Sequence, residues 1–498
     1  MAASSLRGES PLIAYVFPDE IPASKIYQVL VAGQSVKALQ TELGSILSFG
    51  MNGPLEIEVR MDHAPKQVVV RPLSSGIRAE VHGNGYRLRL PRPINLSVEV
   101  DGDIHQPLFV FANPVLEVPS KDDPKVKFFE AGRVHEAGEI VLKEGETLYL
   151  EGGAVVRGVV RAVGASHVAV RGPGILDGGG RTRKINMLVL RECRDSLLEN
   201  FILLDPFGWS IHLSASRQVE MSNVRVLGWR ANSDGLDIEY SSDVKVKNCF
   251  WRTNDDCIAI KAIYPPGVQG VPFEEMINPE FLGGHKVEAI KGDSMGNIDI
   301  SNCVLWNDAG GQGFEIGFEL RIDEIRGIRF RDSDIIRVIG GGAFTIHNGD
   351  QAAIRDLLVE NVRVEEIDRF IDFHVGLSIY SVDCPREYQR SNPKRKAPPH
   401  RPKNANCEWQ WSIPDADKLA YHEAYRGQVD GVIFRNVVLT EPAKAGSIMN
   451  GYSQAKGISN VRFENLSIAG KSVKSAEDLG ISSNENVRGV EFITPAAQ

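Results

Sequence analysis

Short segments with apolar residues at alternate positions recur along the chain, each closing on a small amide or carboxylate. The pattern apolar, any, apolar, any, Asn or Asp ends at Asn200, Asn223, Asn248, Asn302, Asp332, Asn361, Asn436 and Asn465, and only the first copy departs, opening on Ser196. Most steps between copies are 23 to 30 residues long. A fixed period of this size, with β-branched segments and frequent Gly, predicts a solenoid whose rungs bury their inward faces only against neighbouring rungs. Alternation with period two makes those rungs strands, so a parallel β-helix is expected. Two steps are much longer, and insertions are expected there, near residues 262–295 and 375–428, where loops on a solenoid often border the binding face. Asn at equivalent turns tolerates tight backbone geometry and can ladder its side-chain amide from rung to rung, a structural role.

A second strand follows in each rung. Superposing Gly235-Leu236-Asp237-Ile238, Cys257-Ile258-Ala259-Ile260, Gly313-Phe314-Glu315-Ile316 and Ala343-Phe344-Thr345-Ile346 gives two inward stacks, Leu236/Ile258/Phe314/Phe344 and Ile238/Ile260/Ile316/Ile346. Asp237, Ala259, Glu315 and Thr345 then fall on the outer face, followed outside by Glu239, Lys261, Gly317 and His347. Read backwards, the register sets Asp234 next to Asp256 and then Gln312, with Asp255 beside them and aimed differently. Adjacent rungs lie about 4.8 Å apart.

Three carboxylates at one spot suit glycosidic hydrolysis: two can hold and deprotonate a water while a third protonates the departing oxygen. Like charges this close cannot all ionise easily, so crowding favours keeping one acid protonated near neutral pH. Turn capping would explain Asn232 or Asn254 alone, and explains the three aspartates together less well.

On Asn232-Ser233-Asp234-Gly235 and Asp255-Asp256-Cys257-Ile258-Ala259-Ile260-Lys261, the chain resembles glycoside hydrolase family 28, the polygalacturonase group, from about Val126 to the C-terminus. More distantly it is similar to the dextranase and isopullulanase group of family 49. The resemblance implies a right-handed, pectin-lyase-like β-helix and inverting hydrolysis, with Asp255 as the acid and Asp234 and Asp256 holding the water. A carboxyl separation of about 6.5–9.5 Å between Asp255 and at least one of the others is then expected.

Two departures shift the expected substrate. The family's G-H-G motif falls on Gly311-Gln312-Gly313, and its R-I-K motif on Thr345-Ile346-His347. The Arg and Lys of R-I-K contact the galacturonate carboxylate in pectinases, whereas Thr forms no bidentate charged pair and His is mostly neutral at pH 7. A neutral poly- or oligosaccharide is therefore expected, with Asn232, Gln312, Glu315, Glu319, Glu239, His347 and His212 as candidate substrate-binding residues. A pectinase reading stays open through Lys261 or Arg230, either of which could receive a carboxylate.

The first 125 residues lack the ladder. They show short alternating segments (Leu55–Val59, Val68–Val70, Tyr86–Leu90, Leu96–Val100) broken by Gly and Pro. A β-sandwich at 1–125, followed by the β-helix at 126–498, is the expected all-β organisation, and the family 49 enzymes resemble it in having one. The Pro-containing stretch from Asn113 to Lys127 reads as linker, and the solenoid is expected to begin near Gly138. A length of 498 residues with 42% apolar content can fill both cores.

A net charge of -9 argues against nucleic acid and only mildly against pectate. No apolar run reaches the roughly 18 residues of a membrane span. The N-terminus shows no charged segment followed by an apolar one, so either an intracellular protein or a removed leader is expected. Six scattered cysteines form no Cys-x-x-Cys pair, and neither a metal site nor a cofactor is expected. Cys384 and Cys407 share the second insertion and could close it. That insertion also carries a basic, Pro-rich run at 392–403 followed by Trp409 and Trp411, candidates for stacking on sugar rings. Trp209, in Trp209-Ser210-Ile211-His212-Leu213, has inward parity and is expected in the core. A non-catalytic carbohydrate-binding β-helix is the competing class, and a polysaccharide lyase fits less well because no Ca²⁺ cage is evident.

Overall fold

A computed structural model describes residues 10–180, 184–263, 290–384, 411–412 and 419–494, with the backbone alone described at 290–292 and 411–412. The N-terminal strands form two sheets. One contains Leu12–Ala14, Leu39–Thr41, Gly44–Met51, Val68–Arg71, Ile94–Val100 and Asp103–Asn113; the other contains Gln28–Val31, Gln34–Val36, Leu55–Arg60, Glu80–Val81 and Gly85–Leu90. Alternation decides the packing: Leu55, Ile57 and Val59 point into the space between the sheets while Glu56 and Glu58 point away.

From Val126 onward the chain winds as a right-handed parallel β-helix. Twelve parallel strands, from Val126–Phe129 to Val487–Ile493, stack in chain order as one face. The other two faces are joined by strands that bend across a corner, such as Val155–Val163, Asp334–Asn348 and Arg363–Val375. Val126–Phe129 pairs with Thr147–Leu150, and Val134–Val141 with Val155–Val163, so the solenoid starts at Val126, in the coil that also holds Gly138. That end coil has a neighbour on one side only, and its mostly half-exposed strands carry weaker apolar alternation than the coils behind it. No helix among the described residues is long and apolar enough to cross a membrane.

All eight ladder positions adopt a left-handed backbone, with φ between 51° and 68°. Asn223 donates to Asn200 at 2.9 Å, Asn302 to Asn248 at 2.6 Å, Asn361 to Asp332 at 2.9 Å, Asn436 to Asn361 at 2.9 Å and Asn465 to Asn436 at 2.8 Å. Between Asn223 and Asn248 the sandwich intervenes: the Asn95 amide donates to the Asn223 side chain at 3.1 Å and to the Asn248 carbonyl at 3.0 Å.

The sandwich and solenoid also share an apolar seam, where Phe109 and Phe111 meet Phe250 and Trp306. Beside it lies a buried ion cluster. Arg337, 2% exposed, donates to Glu99 at 3.0 Å and to Glu366 at 2.8 Å, while Arg71 reaches Glu99, Glu365 and Glu366. Removing one partner of a buried pair strands a charge and costs about 3–5 kcal/mol. Arg337→Met should accordingly lower the denaturation midpoint well below that of Arg60→Met, whose exposed pair with Glu58 is screened by solvent and contributes little. Equal midpoints for the two variants would show that the cluster does not fasten the sandwich.

Candidate active site

Strand register positions the acids. Leu236, Ile258, Phe314 and Phe344 pair in sequence, and Ile238, Ile260, Ile316 and Ile346 follow them; the column extends back to Ile211 and forward to Ile371. Two residues before the first of these stacks, Trp209, Asp234, Asp256 and Gln312 occupy successive rungs at the turn into the strand. The outer column expected beyond the strands is interrupted. The register slips after Ile260, so that Ala262 pairs with Leu320 and Lys261 has no strand partner at Gly317. Lys261 keeps its expected pairing with Glu239, and the extra residues of the bulge lie on the facing strand, between Ile316 and Leu320.

Asp234 and Asp256 are 2% and 7% exposed, whereas Asp255 is half-buried and the most accessible of the three. The Asp255 carbonyl accepts from Thr253 Oγ1 at 2.6 Å and Asn307 Nδ2 at 2.7 Å, which pins the turn. Its carboxylate accepts from the Asp256 N–H at 3.1 Å and from Asn232 Nδ2 at 3.4 Å. Gly311 closes the site from the next rung with φ 79°. A Cβ there would come within 2.5 Å of both Asp255 Oδ1 and the Asp256 nitrogen, so only glycine fits. Gln312 donates its N–H to Asp256 Oδ1 at 2.8 Å, and its side-chain oxygen accepts from the Gly342 N–H at 2.6 Å.

One carboxylate oxygen from each of the three aspartates lies within 4.8 Å of the others. This is tighter than the expected separation. Two of the acids are consecutive in one turn and the third is one rung away, so the rung spacing sets the distance.

Lys261 neutralises the cluster from behind. Its Nζ lies 2.9 Å from Asp237 Oδ1, 3.1 Å from Asp234 Oδ2 and 3.9 Å from Asp256 Oδ2. Burial opposes its charge, but these carboxylates raise the Lys261 pKa well above its ordinary value. Burial, with the Asp255 charge adding to it, lifts the Asp256 carboxyl well above the usual range, and Asp237 is lifted mainly by burial. Asp255 and Asp256 lie close enough to titrate together, so a proton held between them belongs to the pair and not to either member alone.

The other expected contacts form a polar layer behind the outer face. His212 bonds Glu239 at 2.7 Å, and both are buried. Glu315 accepts from Thr345 Oγ1 and, at 3.0 Å, from His347 Nδ1, while Phe318 stacks on the His347 ring with centroids 4.4 Å apart. Burial works against a charged His347, yet Glu315 and Asp372 raise its pKa. Glu319 is half-buried, and desolvation raises its carboxyl. Asp372 and His374 were not anticipated. His374 Nε2 lies 2.7 Å from Asp372 Oδ1, and although burial opposes ionisation, His374 and His347 hold the Asp372 carboxyl at about 2. The sequence signal was available: Ile371-Asp372-Phe373-His374 continues the register of Phe344-Thr345-Ile346-His347 by one rung.

Among the described residues, two groups bring three potential metal ligands within 4.8 Å, the acid triad and His347/Asp372/His374. Lys261 already stands as the cation of the first, and Arg369 Nε lies 3.6 Å from Asp372 in the second.

Trp209 departs from its expected core position. It is half-exposed on the outer side, with Lys261 Nζ 4.4 Å from its centroid and the His212 ring at 5.0 Å. The residue lies in the turn before the strand Ile211–Ser214, where strand parity does not apply. Trp251 and Trp306 are fully buried. Trp409 and Cys407 lie outside the described residues, as does the basic run; for Trp411 only the backbone is described, pairing with Ser378. Cys384 is buried.

With this geometry in place, comparison with known proteins narrows the reading. Residues 125–310 match the model of glycosyl hydrolases family 28. Two proteins of Arabidopsis thaliana named "Probable polygalacturonase" are 30% identical over 103 residues, 19% of this chain and 23% of theirs, and 29% identical over 114 residues, 20% of this chain and 26% of theirs. The chain thus spans about a quarter of the length of these curated relatives. Among solved structures, Dex49A from Penicillium minioluteum matches with a TM-score of 0.57 at 13% identity, covering 98% of this chain and 97% of that one, which shows a shared fold. The chain accordingly resembles family 28 glycosyl hydrolases over residues 125–310, the segment that holds Asp234, Asp255 and Asp256.

Proposed function

We propose that the protein is a glycoside hydrolase that cleaves a neutral poly- or oligosaccharide with inversion at the anomeric carbon. The observation that carries this reading is the convergence of Asp234, Asp255 and Asp256 within 4.8 Å, with Asp255 the most accessible. Asp255 delivers the proton held by the Asp255–Asp256 pair to the departing oxygen. Asp234, which pairs with Lys261, and Asp256 hold the attacking water and take its proton, so that the pair is recharged as the hemiacetal forms. Asn232 and Gln312 set the orientation of the Asp255 and Asp256 carboxyls.

The neutral-sugar reading is supported by what the nearby basic residues already hold. Lys261 is surrounded by three carboxylates, and Arg230 donates from Nε and Nη2 to the two oxygens of Asp205 at 2.5 Å each. Neither is left to pair with a uronate. The names of the two Arabidopsis relatives favour the second substrate reading, a polygalacturonase. A non-catalytic binder has no need of three acids at one point.

The short separation also favours a second stereochemical reading, since carboxyls about 5–5.5 Å apart belong to retaining enzymes in which one acts as nucleophile. One experiment decides both matters: neutral oligosaccharides and oligogalacturonates of equal length are compared, and the first-formed anomer is read by NMR. Faster turnover of a neutral substrate with the inverted anomer is expected. Retention would reject the water-holding role of Asp234 and Asp256, and faster cleavage of oligogalacturonate would reject the neutral-sugar reading.

A further inference from the structure

Trp209 stands in the same turn column as Asp234, one rung, or about 4.8 Å, toward the N-terminus. Its backbone N–H donates to Asn186 Oδ1 at 3.1 Å, and Asn186 Nδ2 lies 3.3 Å from His212 Nδ1, so the loop is held by the rung before it and the ring is braced edge-on by His212. Two residues earlier Phe207 is also half-exposed, with the Arg230 guanidinium 5.0 Å from its centroid. Arg230 is itself clamped to Asp205. An indole face, a phenyl ring and a charge-balanced Arg–Asp pair thus lie together beside Asn232, whose amide touches Asp255.

We propose that Trp209 and Phe207, with the Arg230–Asp205 pair, form a subsite for a neutral pyranose on the N-terminal side of the acids. The proposal rests on the hydrolase reading above and specifies how the substrate is held. Aromatic faces bury the C–H face of a sugar ring, while guanidinium N–H groups and carboxylate lone pairs serve vicinal hydroxyls. A net-neutral pair gives a uronate carboxylate no electrostatic advantage. One rung separates this platform from Asp234, a spacing on the scale of one sugar ring, so the occupant is the unit adjoining the scissile bond.

The test uses the full chain and α-linked gluco-oligosaccharides of increasing length. Trp209→Ala should raise KM at least tenfold on oligomers long enough to reach the platform, with a smaller effect on kcat, and Trp209→Phe should recover most of the loss. In the Asp255→Asn background the same oligomers should quench tryptophan fluorescence, and Trp209→Ala should abolish the quenching. A uniform fall in kcat at every chain length with KM unchanged and the pH profile displaced would mean that Trp209 acts only through Lys261, and would overturn the subsite. Absence of quenching would overturn it as well. Quenching without any hydrolysis by the wild type would uphold the subsite and sink the hydrolase reading instead.

Discussion

Asp255→Asn should lower turnover by orders of magnitude while leaving the circular dichroism spectrum and thermal midpoint unchanged. The substitution is nearly isosteric, and Asp255 is the most accessible of the three acids, with its backbone fixed through Thr253 and Asn307, which do not contact the changed atoms. An amide has no acidic proton to give the departing oxygen, and general acid catalysis typically contributes 10²–10⁴-fold. Substrates with good leaving groups need little protonation, so they should be cleaved by the variant far better than unactivated glycosides. The pH profile offers a second check. With Asp256 raised by burial and by Asp255, the pair keeps its proton to a higher pH than ordinary carboxyls do. Activity should therefore decline only as pH rises through an apparent value above the usual carboxylate range, and Asp255→Asn should remove that limb. Near-normal activity on unactivated substrates with an intact fold would end the assignment of Asp255 as the acid.

Much of the site was legible because a β-helix converts sequence period into spatial neighbourhood. Once Leu236, Ile258, Phe314 and Phe344 are superposed, the placement of Asp234 beside Asp256 and Gln312 follows from parallel pairing alone. The Asn ladder was equally readable, since each member needs a left-handed backbone that Asn tolerates at low cost. What escaped the sequence breaks the repeat. The slip after Ile260 breaks the expected outer column between Lys261 and Gly317, while Lys261 stays paired with Glu239 and reaches Asp234 and Asp237. Trp209 lies in a turn, where alternation carries no information about direction. Asn95 interrupts the ladder from the sandwich, more than a hundred residues away in the chain, and no local pattern announces it.

The burial of the outer face was likewise not legible. Asp237, Glu239, Glu315 and His347 are all 0% exposed, although parity alone would give them to solvent. Parity assigns a side chain to a face, and whether that face is covered depends on contacts distant in sequence. The consequence is chemical: these groups hold one another and set the charge behind the acids. In that layer His347 and Thr345 are committed to Glu315.

Lys261→Met should have the largest combined effect on stability and activity. Asp234, Asp237 and Asp256 are 2%, 0% and 7% exposed, and Lys261 is the cation shared by all three. Removing one partner from a buried charge cluster costs about 3–5 kcal/mol, because the remaining carboxylates must bind protons or stay unpaired. The expected response to pH has a definite sign. Asp237 and Asp256 already have folded-state values raised above those of the unfolded chain. The folded state therefore binds more protons than the unfolded state above the ordinary carboxylate range, and stability falls as pH rises through that window. Losing Lys261 extends the window upward, so the variant should be least impaired in mild acid and most impaired at neutral pH and above. Asp237→Asn in the same chain removes the carboxylate nearest to Lys261 and should restore part of the stability, but not the activity, because Asp234 would still lack its counterion. Denaturation midpoints of wild type, both single variants and the double variant between pH 5 and pH 9 make the comparison. If Lys261→Met and the double variant are equally destabilised at every pH, Lys261 is not the counterion of Asp237, and the account of how the acids are kept charged fails with it.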